Sequence, residues 1–141
     1  HLRLTKLALT TGFRRSELLS LTWRNIDLHK DKIYIQRKEC AARGGSKSMR
    51  IVPLPSNAKK LLRSFESKEG KVLPITKGAA RNGFDKARKR AGLNTLRFHD
   101  LRHIAISRMW SSGMNALEIS ACSGHRDIKM LMRYSHYQLS F

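Results

Sequence analysis

Four side chains in the last third of the chain have the types and spacing for phosphodiester chemistry: His99, Arg102, His125 and Tyr134. A phosphodiester under attack gathers negative charge on its equatorial oxygens. Guanidinium forks bind those oxygens and keep their own charge at neutral pH. Arg102 and, far upstream, Arg14 are the candidates for that clamp. A tyrosine forms a phosphate ester that stores the energy of the broken bond, and a second DNA hydroxyl reverses it. Tyr134 is the candidate nucleophile. His99 and His125 titrate in the range needed to take the phenol proton and to steady the developing charge. A lysine on a basic loop would protonate the departing 5′ oxygen. The scheme calls for no metal and no cofactor. Each residue alone says little, since a lone histidine or tyrosine is usually packing; the combination carries the reading.

Certain elements must bring these groups together. His99 and Arg102 stand three apart, so a helix from Phe98 to about Ser112 projects both from one face, with Leu101, Ile104, Ala105, Met109 and Trp110 inward. His125 and Tyr134 are nine residues apart, which on one unbroken helix is about 13.5 Å and two and a half turns, on opposite faces. They share a site only if His125 lies in the turn made by Ser123-Gly124, with Tyr134 on a following helix, Asp127–Tyr137, that buries Ile128, Leu131 and Met132. Arg14 falls near a turn between a first amphipathic helix (Leu2, Leu4, Leu7, Ala8, Leu9), ended by Gly12, and a second that turns Leu18, Leu19 and Leu21 to the core. In that place an arginine is either a solvated charge or a fixed anion ligand.

Residues 32–38 and 49–54 alternate as strands of a hairpin, with Pro53 marking an edge. The loop between them, CAARGGSKS, is long and basic. Lys38, Arg43, Lys47 and Arg50 lie on or near it, either as a solubilising tip or as a groove-entering one. A helix follows over Ala58–Phe65, and another over about Gly78–Ala91, capped by Thr76 and closed by Gly92. This last helix carries Arg81, Lys86, Arg88, Lys89 and Arg90 against Asp85, with Phe84, Ala87 and Ala91 for the core; it reads as phosphate-facing or simply solvated. The fold class is mainly α with a small antiparallel hairpin or sheet.

Global composition agrees with a polyanion partner. Lys+Arg number 29 against 10 Asp+Glu, a net charge of +19. Such an excess repels itself unless nucleic acid, or less suitably an anionic membrane surface, neutralises it. At 141 residues the chain is long enough for one core, and no apolar run is long enough to span a bilayer. Cys40 and Cys122 lack metal-ligand spacing and suit two thiols in a reducing cytoplasm. The chain opens at His1 inside a helical pattern, so it is expected to be a fragment of something longer.

The motifs TTGFRRSELLSLTWRNID (10–27), RIVPLP (50–55), FHDLRH (98–103) and SGHRDIKMLMRYSH (123–136) together resemble, in order and over nearly the whole chain, the catalytic domain of the tyrosine recombinases, or phage integrases. The resemblance implies a DNA breaking-and-rejoining fold spanning 1–141 as one catalytic domain. It further implies site-specific recombination through a covalent 3′-phosphotyrosyl intermediate, on double-stranded DNA, by a homotetramer across paired sites. Carried over, the arginine of the Thr-Gly motif is Arg14 rather than Arg15; the others are His99, Arg102, His125 and Tyr134. Arg43, Arg50, Arg81, Lys86, Arg88 and Lys89 are the expected DNA contacts.

Two departures stand out. The family's hairpin lysine falls at positions that here are Gly44 and Gly45, so Lys47 is the nearest choice, with Arg43 as the alternative cation. The family's N-terminal DNA-clamping domain has no counterpart in this sequence, and seven residues follow Tyr134, so the fragment alone is expected to be monomeric. Two rival readings exist. One is a non-catalytic helix-turn-helix-like DNA-binding module around Ile119–Tyr134, which leaves Arg14 and the HDLR motif without a purpose. The other is a metal hydrolase using His99 and His103 at i, i+4, which lacks the glutamate and third ligand such helices carry. On the recombinase reading His103 is a helix-surface or supporting histidine.

Overall fold

The computed structural model describes residues 1–36 and 49–137. The mainly helical expectation holds: among the described residues there are seven α-helices, two short 3₁₀ turns and one small sheet. In chain order these are α1 (Leu2–Thr11), α2 (Arg15–Ser20), a 3₁₀ turn (Trp23–Asn25), β1 (Ile26–Asp27), β2 (Lys32–Gln36), β3 (Met49–Pro53) and α3 (Ser56–Arg63). There follow α4 (Lys77–Arg90), α5 (Phe98–Ser111), α6 (Ala116–Ser123), α7 (Lys129–Met132) and a 3₁₀ turn (Ser135–Tyr137).

α1 buries Leu4, Leu7, Ala8 and Thr11 along one stripe and packs that stripe on α5 and α3. Leu2, expected inward, is 67% exposed because, two residues before Leu4, it is turned about 200° away from it around the helix. Gly12 ends the helix at φ 71°, and its N–H returns to the Ala8 carbonyl. The core formed with Phe13, Leu18, Leu62, Leu101, Ile106, Trp110, Ile119 and Leu131 is continuous from the first helix to the last.

The sheet runs β1-β2-β3, antiparallel throughout, and β1 was not expected from sequence. Its register sets Ile33 opposite Val52 and Ile35 opposite Arg50. Ile33, Ile35 and Val52 are buried while Ile51 is exposed, so period-two alternation turns Arg50 to the core face as well. That orientation governs the site described below.

Three other expectations change. Ala87 and Ala91 are exposed; α4 buries Ala80 and rests Phe84 edge-on against Phe98 at a centroid distance of 5.3 Å. Ile104 is 38% exposed because it lies on the outer side of α5, opposite Ala105 and Ile106. The expected long last helix is only the single turn α7. The Leu131 carbonyl, which a continuing helix would offer to residue 135, instead accepts from the Tyr134 N–H (3.0 Å) and from Trp110 Nε1 (3.2 Å). The chain therefore tightens, Tyr134 turns inward to 9% exposure, and Met132 is left 51% exposed. Among the described residues no helix is long and apolar enough to cross a membrane.

Candidate active site

Arg102 is the most deeply buried charge of the site, at 3% exposure. It stands on the face of α5 that meets the end of α1. There its Nη1 donates to the Gly12 carbonyl at 2.7 Å. The turn that ends α1 is thus what orients one arm of the guanidinium, and a Cβ on Gly12 would already touch Ala105 at 3.4 Å. The other arm, Nη2, lies 3.2 Å from His125 Nδ1. Burial first, and then the nearby charge of Arg14, bring Arg102 down to about 10, so it remains a cation at pH 7.

His125 follows Gly124 in the turn after α6, as its spacing from Tyr134 requires. Its Nδ1 receives both Arg102 Nη2 and Ser123 Oγ (2.7 Å), and its carbonyl accepts from Ser120 Oγ at 2.6 Å. An arginine can only donate, so Nδ1 is the acceptor and the ring carries its proton on Nε2. Burial, then the charges of Arg102 and Arg14, hold His125 down at about 4. The expected cation is therefore a neutral imidazole at pH 7, with Nε2–H as the group that can donate to an anion. Burial, then His103 and Arg102, likewise lower His99.

Arg14 caps the start of α2 and is half-exposed, held by one bond from Nη1 to Glu17 Oε1 at 3.1 Å. The second oxygen of Glu17 accepts from Arg50 Nη2 at 2.9 Å, and Arg50 Nη2 also reaches the Cys122 carbonyl at 3.3 Å. Glu17 is 7% exposed. One buried carboxylate thus anchors two guanidiniums and joins α2, β3 and α6. Gly124 at φ 78° makes room for this: a Cβ there would stand 2.5 Å from Arg50 Nη1. Arg14, Glu17, Arg50, Gly124, His125 and Arg126 line a cleft of about 800 Å³. Arg14 also lines an adjoining recess of about 250 Å³ with Phe13, Arg15, Phe98, His99 and Arg102. Arg14 is thus common to two adjoining recesses, one lined by His125 and the other by His99 and Arg102, and the Arg102–His125 contact links them.

Tyr134 opens elsewhere. It lines a neighbouring recess along α5 with Asp100, His103, Ser107 and Arg108. Its hydroxyl is hydrogen-bonded to His103 Nδ1, and the two rings stack at 5.7 Å with 25° between their planes. His103 in turn meets His99 edge to face at 4.9 Å, so one imidazole separates the phenol from the recess of His99 and Arg102.

Of the expected DNA contacts, Arg81, Lys86 and Lys89 are exposed on α4. Arg88 is tied to Asp85 at 3.0 Å and to the Asn94 carbonyl, holding the end of that helix. Arg50 faces inward, with 12% of its side chain exposed. Lys47 and Arg43 lie outside the described residues, as does Cys40. The sequence reading missed Glu17 as a site residue and gave His103 only a supporting role. Glu17 stands three residues after Arg14, in the first turn of the helix that Arg14 caps, and Arg50 shares the period-two face of Val52; both signals were available. Among the described residues no three potential ligands cluster to hold a metal ion.

Residues 1–140 match the model of the phage integrase family. The shufflon-specific DNA recombinase of Escherichia coli is 39% identical over 132 residues, covering 92% of this chain and 33% of that protein. The tyrosine recombinase XerA of Saccharolobus solfataricus is 30% identical over 137 residues, covering 95% and 45%. The chain thus spans less than half the length of these two relatives. Among solved structures, the catalytic domain of bacteriophage HP1 integrase superposes with a TM-score of 0.74 at 28% identity, covering 96% of this chain and 74% of that one.

Proposed function

This chain belongs to the phage integrase family, and from that premise we propose that residues 1–141 act as the catalytic domain of a site-specific DNA recombinase. The observation that carries the reading is the Glu17-anchored Arg14 shared by two adjoining recesses, one lined by a neutral His125 and the other by His99 and a charged, buried Arg102 that reaches His125 Nδ1 at 3.2 Å. Such a group binds the non-bridging oxygens of a phosphodiester, with the forks taking charge and the imidazole N–H donating. The Tyr134 oxygen attacks phosphorus, the bond to the 5′ oxygen breaks, and a 3′-phosphotyrosyl ester remains until a 5′-hydroxyl reverses it. Lys47, or Arg43 in its stead, supplies the proton to the departing oxygen. Exposed Arg81, Lys86 and Lys89 hold the duplex backbone. Double-stranded DNA is the partner, four copies of the parent enzyme act across paired sites, and this segment by itself is monomeric. The chemistry belongs in the cytoplasm, where DNA is available.

The test uses a pool of nicked duplexes randomised around the nick, so that cleavage next to the nick traps the enzyme. The chain should form a covalent adduct that survives denaturant and EDTA, and the captured DNA gives the site. Tyr134→Phe should abolish the adduct with little change in DNA affinity. An adduct that persists in the Phe variant, or that EDTA prevents, overturns the mechanism. The non-catalytic reading forecasts no adduct at all.

A further inference from the structure

Two histidines on α5 stand one turn apart, and the geometry divides them. His99 faces the recess of Arg14 and Arg102. His103 faces the nucleophile: its Nδ1 is bonded to the Tyr134 hydroxyl, and its ring stacks on the phenol. We infer that His103 is the proton acceptor for Tyr134 in the cleavage step, an assignment that rests on the recombinase reading above and gives His103 a direct part in the chemistry.

The arrangement suits that task. A general base must stand within hydrogen-bonding reach of the proton it takes, and His103 already does. Tyr134 as a whole is 9% exposed, and its hydroxyl is engaged by His103. Burial and the neighbouring arginines favour the neutral imidazole. Burial lowers His103 first; Asp100 opposes this from the same helix, while Arg133, Arg102 and Arg97 reinforce it. The segment packed against α5 brings Arg133, Tyr134 and His136 to this side, and Arg133 lies over the Tyr134 ring at 5.6 Å. A neutral ring accepting at Nδ1 keeps its own proton on Nε2.

The step balances. As Tyr134 Oη bonds to phosphorus, its proton passes to His103 Nδ1 and the ring becomes an imidazolium. The bond from phosphorus to the 5′ oxygen breaks, and that oxygen takes a proton from the hairpin cation. In rejoining, the incoming 5′-hydroxyl gives up its proton to the hairpin group, left neutral by the first step, which regains its charge, and His103 returns the stored proton to the phenol as the ester breaks. Because the His103 ring touches that of His99, the phenol reaches the phosphate recess by moving past one imidazole while the relay stays adjacent.

The experiment follows adduct formation against pH on the nicked duplex captured above, for the parent chain, His103→Asn and His103→Gln. Asparagine keeps an acceptor near the Nδ1 position but cannot take a proton. Both variants should be slower at pH 7 by about 10²–10³-fold, and the deficit should shrink as pH rises toward the phenol's own ionisation. Replacing Tyr134 by a fluorinated tyrosine of lower phenol pKa should restore most of the rate to His103→Asn at pH 7. Three results overturn the assignment: an unchanged rate at pH 7, a faster one (the bond then only restrains the tyrosine), or a loss equal at all pH values with no recovery by fluorotyrosine. Loss of the recombinase reading is distinguishable, because there the parent chain itself forms no adduct through Tyr134.

Discussion

At the scale of single residues, the site is built from hydrogen-bond direction as much as from charge. Arg102 donates both to Gly12 and to His125, which leaves His125 one tautomer and one available donor. Holding this histidine neutral has a consequence for stability. In the unfolded chain it titrates near 6.5, and in the fold near 4. The stabilisation is therefore complete above pH 6.5 and is lost as pH falls toward 4, where the unfolded chain takes up a proton that the folded one refuses. The lowered His99 and His103 act in the same direction. After allowance for solvent screening the His125 contribution is about 1–2 kcal/mol. Thermal unfolding from pH 7 to pH 4 at constant ionic strength should show the Tm falling, and His125→Gln should flatten that fall. A His125→Gln curve parallel to the parent's would contradict the tautomer and burial argument.

At the scale of elements, the decisive join is between β3 and the turn after α6. Arg50 leaves the sheet on its core face, passes against Gly124, and ends on Glu17. Two glycines separate backbone strain from this close approach. Gly113 and Gly124 both have positive φ, but a Cβ on Gly113 meets nothing within 4 Å, whereas on Gly124 it meets the Arg50 guanidinium. Gly113→Ala should cost about 1–2 kcal/mol, the left-handed penalty alone. Gly124→Ala should cost that and also push Arg50 from Glu17, for a total of roughly 3–4 kcal/mol. Denaturant unfolding of the two variants measures the difference; equal losses would mean that Arg50 moves aside without consequence. Legibility was uneven at this scale. The ends of α1, α5 and α6 follow from Gly12, Gly113 and Gly124 and from apolar spacing, and so were readable. The shortness of α7 was not, because it depends on Trp110 taking the Leu131 carbonyl from 21 residues away in sequence.

At the scale of the molecule, a net charge of +19 sits on a body with a buried arginine at its centre and a basic helix along its flank. The charges do different work. Arg81, Lys86 and Lys89 are exposed and open to a polyanion, while Arg88 is committed to Asp85 and Asn94. Changing the first three together to Gln should reduce the slope of log K against log salt for DNA binding by about 2–3. Arg88→Gln should leave that slope nearly unchanged and instead lower the melting temperature. A slope that falls equally with Arg88→Gln would show that its ion pair opens on DNA.

The sequence by itself offered the type of chemistry proposed here and the candidates for it. Residue types are chemical facts, and spacings of three on a helix or nine across a glycine turn limit which groups can share a face. It also determined the cationic surface and the helical class. Only the tertiary structure decided how those groups divide. It turned Arg50 inward, gave Arg14 and Arg50 a common carboxylate in Glu17, and made His125 neutral. It also set the Tyr134 hydroxyl on His103 rather than on His99. The reason is that each of these depends on contacts between elements distant in sequence, where burial and hydrogen-bond competition fix direction and charge state. No local pattern encodes those terms.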